Sequence, residues 1–155
     1  MPDHHKPFAI ALGFIIVFMI IYVVAGSIGW GLQAPNEQAI GEISRWCERV
    51  SAGAFREPSN ALSNMGFMLA GLLMLRVLSK DSEYLLGLNQ FFGFTPISIL
   101  YASSVIWLGA GSMLMHGTHT RWGASADNLS MVMYILIAWL FNLSQMVGWS
   151  TRKLL

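Results

Sequence analysis

Apolar and polar residues follow one another along this chain in long blocks rather than in short periods. Four apolar stretches are separated by polar or charged segments, and they cover residues 8–30, 58–78, 97–115 and 128–149. About 20 consecutive apolar residues are enough for a helix to cross the hydrocarbon core of a bilayer. The pattern therefore predicts an all-α fold, a polytopic transmembrane helical bundle with four spans.

The connections between these stretches suggest how the chain is divided. Residues 1–7 form a short polar tail, and residues 8–30 an additional N-terminal transmembrane helix whose expected role is anchoring or packing. Residues 31–155 make up the main membrane domain. Its first connection, residues 31–57, is expected to contain a surface helix over residues 37–50, because Ile40, Ile43 and Trp46 recur on one helical face.

Composition supports the membrane assignment. Of the 155 residues, 55% are hydrophobic and only 11% are charged, whereas soluble domains carry about 25% charged residues. The net charge of +1 and the lack of a basic patch argue against a nucleic-acid partner. A single cysteine excludes an internal disulfide. We expect an integral, multi-pass protein of a bacterial-type inner membrane or a plasma membrane, with the lipid bilayer as its surroundings.

The candidate chemistry is concentrated at the junction of the third and fourth stretches. Ser112 and His116 are spaced i, i+4 and therefore share a helical face. A loop is expected over residues 117–126, bracketed by glycines, and Asp127 then opens the fourth span. Ionisable groups at such depth are functional candidates by default, although Asp127 could instead be a helix N-cap.

A second polar group precedes and enters the second stretch. Asn60 and Asn64 are four residues apart, with Glu57 close to the same face. Hydrogen bonding between helices is the alternative role for the two asparagines. If the spans alternate in direction, Glu48 and Glu57 lie at the same membrane face as Ser112, His116 and Asp127.

Two hydrolytic chemistries suit this set of residues. In a zinc site, His116 would be a ligand, and Asp127 and Ser112 would orient water and stabilise an oxyanion. A Ser–His–Asp hydrolase ranks lower, because a serine within a membrane helix lacks the turn that usually presents such a nucleophile. A packed core histidine is the non-functional alternative for His116, and haem or quinone binding by His116 and His119 ranks lowest.

Two motifs resemble those of the alkaline ceramidases. That family has a G-x-G-S-x-x-x-H-x-T run with an Asp eleven residues after the His, which this chain matches at Gly109, Gly111, Ser112, His116, Thr118 and Asp127. An upstream element of the form W-C-E followed by E-x-x-N-x-x-S-N is matched at Trp46, Cys47, Glu48, Glu57, Asn60, Ser63 and Asn64. The resemblance covers roughly residues 45–147. The wider superfamily of intramembrane metal hydrolases includes adiponectin-type receptors and hydrolases that remodel lipid anchors.

The resemblance implies a seven-helix fold and zinc-dependent hydrolysis of the amide bond of ceramide-like lipids, which releases a sphingoid base and a fatty acid. It implies His116 as a zinc ligand and places Ser112 and Asp127 beside the water. Glu48 and Glu57 match carboxylates that help to hold calcium in the family. Arg45 and Val50 replace two oxygen-bearing residues of that calcium site, which weighs against calcium here.

The zinc of the family is completed by a His-x-x-x-His pair near the C-terminus, whereas this chain contains only His4, His5, His116 and His119. The resemblance therefore implies the N-terminal portion of a larger protein, with later helices and further zinc ligands outside this chain, and an inactive chain when it is alone. The alternative is a non-catalytic receptor-like or scaffolding membrane protein of the same superfamily.

Overall fold

The computed structural model describes residues 4–31, 37–80, 93–149 and Lys153. These residues form an all-α bundle, which confirms the predicted fold class. Its helices are α1 (Lys6–Ile28), α2 (Pro58–Ser63), α3 (Met65–Leu78), α4 (Pro96–Thr118) and α5 (Arg121–Val147). The only strand-like feature among the described residues is an isolated antiparallel bridge between Ile43 and Arg49.

Among the described residues, four helical segments are long and apolar enough to cross a membrane: α1, the α2–α3 pair taken together, α4 and α5. This agrees with the four predicted spans and indicates a membrane protein. The first span begins at Lys6, within the segment predicted as a polar tail, because Pro7 is accommodated in the first turn of α1. Residues 1–3 of that tail lie outside the described residues.

Helix α4 is the central element of the bundle and packs against both α3 and α5. Small residues allow this close packing on two sides. A Cβ atom built on Gly109 would lie 2.6 Å from the carbonyl oxygen of Asn64, and one built on Gly111 would lie 2.6 Å from the Oγ atom of Ser130. Neighbouring helices therefore occupy the space at both glycines.

The surface helix predicted over residues 37–50 is wrong. This segment forms turns. The backbone N–H of Gly41 donates to the carbonyl of Val50, and the N–H of Val50 donates to the carbonyl of Glu42. Gly41 and Cys47 have positive φ angles of 92° and 63°, which a continuous right-handed helix cannot contain. Val50, which takes part in both of these hydrogen bonds, is only 1% exposed.

The second span was predicted as one helix, and the structure divides it at Asn64 into α2 and α3. The carbonyl oxygen of Asn64 is directed at α4 beside Gly109, and the chain changes from one helix to the next at this contact. The polar half of the span is therefore a separate short helix.

The loop predicted over residues 117–126 is also wrong. Helix α4 continues to Thr118, and α5 begins at Arg121. His119 ends α4 in the left-handed region, at φ 51°, and the Thr120 hydroxyl caps α5 by accepting a hydrogen bond from the Gly123 N–H at 3.1 Å. Because Thr120 is the N-cap, the capping role considered for Asp127 is excluded.

Replacement of Gly117 by Ala is expected to lower the thermal unfolding temperature. A Cβ atom at Gly117 would lie 1.3 Å from the hydroxyl oxygen of Tyr22 in α1, and overpacking of this kind costs about 1–3 kcal/mol. Gly13→Ala is the matched control, because its Cβ atom would meet nothing within 4 Å. Thermal unfolding of both variants in detergent micelles tests this contact, and equal losses of stability would contradict it.

Candidate functional site

The centre of the candidate site is the carboxylate of Glu57, which is 1% exposed. Its Oε2 atom accepts hydrogen bonds from His116 Nδ1 at 3.0 Å and Asn60 Nδ2 at 2.8 Å. Its Oε1 atom accepts one from His119 Nε2 at 2.8 Å. The backbone N–H of Glu57 also donates to the carbonyl of His116 at 3.1 Å. Glu57 therefore joins the start of α2 to the end of α4.

His119 continues this chain of contacts toward the polar connection. Its Nδ1 atom lies 3.1 Å from Glu37 Oε1, and Arg56 Nη1 lies 2.8 Å from the same oxygen. Burial raises the pKa of Glu37, and the opposing effects of Arg56 and His119 do not cancel this shift. Because both ring nitrogens of His119 are directed at carboxylates, its unusual left-handed backbone is held by contacts on both sides.

Glu48 anchors the start of α2. Its Oε1 atom accepts from the backbone N–H of Ser59 at 2.6 Å, and its Oε2 atom accepts from that of Asn60 at 2.8 Å. The first N–H groups of a helix have no partner within the helix and attract anions. Partial burial raises the pKa of the Glu48 carboxyl, but the backbone donors outweigh that effect, and the net shift is downward.

The two asparagines make local hydrogen bonds. Asn60 donates to Glu57, and the Nδ2 atom of Asn64 donates to the carbonyl of Asn60 at 2.8 Å. Neither bond runs between two spans, so these contacts differ from the interhelical role considered from the sequence. Asn60 orients the central carboxylate, and Asn64 stabilises the end of α2.

Asp127 and Ser112 were predicted to belong to the same site. Among the described residues, no hydrogen bond joins either side chain to Glu57 or to the two histidines. Asp127 is 7% exposed in the second turn of α5, and among the described residues its buried Oδ1 atom has no hydrogen-bond partner. Ser112 is half-buried in α4, one turn before His116. The Nδ1 atom of His116 is bonded to Glu57, so the contacts do not form a Ser112–His116–Asp127 triad.

The geometry can be compared with the needs of a metal ion. Within the described ranges, no group of three or more His, Cys, Asp and Glu side chains is placed to hold a metal. The Nδ1 atom of His116 is held by a carboxylate, an arrangement that in metal sites leaves the Nε2 atom for coordination. The described residues do not form a complete metal centre by themselves.

Calcium fits the described residues poorly. This ion requires about six to eight oxygen ligands. Both oxygens of Glu48 accept from backbone N–H groups, and both oxygens of Glu57 accept from His119, His116 and Asn60. The two carboxylates are engaged by protein donors.

A cavity of about 130 Å³ opens beside the central carboxylate. Its walls include Glu37, Trp46, Glu57 and His119. The ring of Trp46 also packs edge-on against His116, with centroids 5.6 Å apart. The polar end of the bundle therefore offers an opening next to the histidine pair.

Three participants were not predicted from the sequence. The sequence names His119, at i+3 from His116, only for the lowest-ranked haem or quinone site, and it predicts no site role for Glu37 or Arg56 in the polar connection. Mixed charge in a polar connection does not distinguish a solvated residue from one that pairs with a distant histidine. The one local feature of the sequence that pointed to His119 was its position close to the end of the third span.

Comparisons with models of known protein families, with curated proteins and with solved structures find no match to this chain.

The variant Glu48→Gln is expected to be less stable than the wild type by roughly 1 kcal/mol at pH 7, because an amide oxygen replaces a charged acceptor at the start of α2. Because the pKa of Glu48 is lowered in the folded state, its carboxylate stabilises the folded protein at pH values above the ordinary pKa of 4.5. This stabilisation is lost as the pH falls through the folded-state pKa. The difference between the two proteins should therefore shrink below about pH 4.5.

Thermal unfolding of the two proteins between pH 7 and pH 3 measures this difference. Glu42→Gln is the control, because it removes a carboxylate of the same connection that accepts from Ala39 in an exposed turn. A destabilisation by Glu48→Gln that stays constant with pH would contradict the anchoring role.

Proposed function

We propose that this chain is part of an intramembrane zinc-dependent amidohydrolase of the alkaline ceramidase type. Its substrate would be a ceramide-like lipid, whose amide is hydrolysed to a sphingoid base and a fatty acid, in a bacterial-type inner membrane or a plasma membrane. The observation that carries the proposal is the bond of 3.0 Å between His116 Nδ1 and the buried carboxylate of Glu57. It adds a geometric argument to the motif resemblance.

A carboxylate on one ring nitrogen is a common support for a histidine that binds a metal through the other nitrogen. It fixes the tautomer, the orientation and the basicity of the imidazole. Glu57 provides such support from a position that is 1% exposed. In this proposal Glu57 orients His116 instead of binding calcium, and Asn60 orients Glu57. Zinc, when bound, supplies Lewis acidity and lowers the pKa of water to about 7.

Asp127 is the proposed general base. An unpartnered carboxylate oxygen in a buried position costs free energy, and Oδ1 of Asp127 is such an atom. Water bound there would give up a proton to Asp127 as its oxygen attacks the amide carbon, and Asp127 would return that proton to the leaving amine nitrogen as the C–N bond breaks. Ser112 is proposed to donate its hydroxyl hydrogen to the oxyanion that forms from the amide carbonyl.

The zinc ligands in addition to His116 are proposed to come from outside this chain. A hydrolytic zinc centre uses three protein ligands and one open position. The ring nitrogens of His119 are directed at Glu37 and Glu57, and the ring of His4 stacks on Phe94 with centroids 4.5 Å apart. Hydrolysis by this chain alone is therefore not expected.

The role of His116 can be measured as zinc content. The protein would be tagged at its native locus, purified from its own membranes and assayed for zinc per polypeptide. His116→Ala is expected to lose most of the zinc, because it removes a ligand. The control His4→Ala is expected to retain it. Equal zinc in the wild type and His116→Ala would remove His116 from the site and favour the non-catalytic, receptor-like alternative.

The proposed role of Asp127 as a general base can be distinguished from a purely structural role by one substitution. Asp127→Asn keeps the shape of the side chain but removes the base, so hydrolysis of a fluorescent ceramide in the same membranes should fall by about 10² or more. The unfolding temperature should stay equal, because Asn has the same shape and keeps an oxygen atom at this position. Asn128→Ala, on the exposed side of α5, is the control. Full activity in Asp127→Asn would exclude Asp127 as the base.

A further inference from the structure

Helix α1 contacts the bundle most closely near its C-terminal end. Most of its surface is exposed, and its two buried residues are Tyr22 and Gly26. Nothing in the motif resemblance covers this helix, which the sequence suggested was an anchor. The contacts of the two buried residues are therefore informative about what else α1 does.

Tyr22 reaches the segment of α4 that carries His116. Its hydroxyl donates a hydrogen bond to the carbonyl of Met113 at 2.9 Å, and the side chain is 1% exposed. The same hydroxyl fills the space beside Gly117, the residue that follows His116 directly. Tyr22 thus contacts α4 on both sides of His116 along the chain.

Gly26 and Trp30 reach the segment that carries Glu57. A Cβ atom on Gly26 would lie 2.6 Å from the Cα atom of Ala54, so the two backbones are nearly in contact. The indole Nε1 atom of Trp30 donates to the carbonyl of Ala54 at 3.3 Å. The ring of Phe55 also packs against Tyr22, with centroids 5.2 Å apart. Ala54 lies three residues before Glu57.

We infer that the end of α1 and the two residues that follow it, from Tyr22 to Trp30, form a clamp that holds Glu57 in register with His116. Glu57 and His116 come from separate segments, and their bond of 3.0 Å exists only while both backbones keep their relative position. The clamp contacts each segment within three residues of the bonded pair. Tyr22 is a positioning residue, since it acts on His116 through α4. Its effect on zinc rests on the proposed function, but its effect on the pair does not.

The chain offers a matched pair of substitutions for the test. Tyr22→Phe removes one hydroxyl that bonds between α1 and α4. Tyr101→Phe removes a hydroxyl that bonds between α4 and α5, where Tyr101 Oη lies 3.2 Å from Tyr134 Oη. Tyr101 lies four turns of α4 before His116. Loss of its hydroxyl therefore shows the effect of weakened helix packing far from the Glu57–His116 pair.

The readout is the NMR signal of the Nδ1–H group of His116, in the histidine-labelled 155-residue protein in micelles without added zinc. His116→Gln identifies the signal. Tyr22→Phe is expected to move this proton upfield or broaden it, because the bond to Glu57 weakens. Tyr101→Phe should leave it unchanged. An unchanged signal in Tyr22→Phe, or equal changes in both variants, would overturn the clamp.

A zinc measurement separates this inference from the proposed function. In the native membrane protein, Tyr22→Phe should weaken zinc binding about tenfold, as loss of support around a ligand does. If the wild-type protein contains no zinc, the proposed function is wrong, but the effect of Tyr22→Phe on the NMR signal of His116 would still test the clamp. If Tyr22→Phe does not fold, Trp30→Phe tests the other half of the clamp, since it removes the donor to Ala54 and should shift the same His116 signal.

Discussion

The buried carboxylate of Glu57 is the interaction on which the rest of the structure depends. A carboxylate removed from water is stable only where donors replace the lost solvent. Glu57 receives three side-chain donors, two of them histidines at the end of α4 and one an asparagine in its own helix. Removal of His119 would leave the buried Oε1 atom without its side-chain donor, whereas Oε2 has two donors, His116 and Asn60. The polar connection, α2 and the α4–α5 junction are therefore held together by one group.

This arrangement also determines where open space lies beside His116. The helices beside α4 approach so closely at Gly109 and Gly111 that neither glycine leaves room for a lipid chain. The open space next to the histidine pair is the cavity bordered by Trp46 and His119 at the polar end of the bundle. The open space beside the histidine pair thus lies at the polar end of the bundle, whereas the helices are in close contact at Gly109 and Gly111.

The sequence predicted the features that depend on local composition, namely four spans and one shared polar face. It failed where a residue has a long-range role. Gly117 and Gly123 have the composition of a loop, but they are packing positions inside helices, against Tyr22 and Thr118. Ile40 and Ile43 have helical spacing, but Gly41 between them has a positive φ. The pairing of Glu37 with His119 joins distant segments, and no local pattern encodes it.

The two buried carboxylates at this end of the bundle, Glu57 and Asp127, differ in their hydrogen-bond partners. Glu57 has every oxygen occupied by protein donors, and such a group is suited to fixing its neighbours rather than to exchanging protons with a substrate. Asp127 has a buried oxygen that accepts nothing, at a cost of about 1–3 kcal/mol for an unsatisfied polar group. Gly111 of α4 brings the backbone of α5 close at Ala126, the residue before Asp127. The two carboxylates therefore differ in how the protein satisfies them, and only Glu57 is paired by histidines of the neighbouring helix.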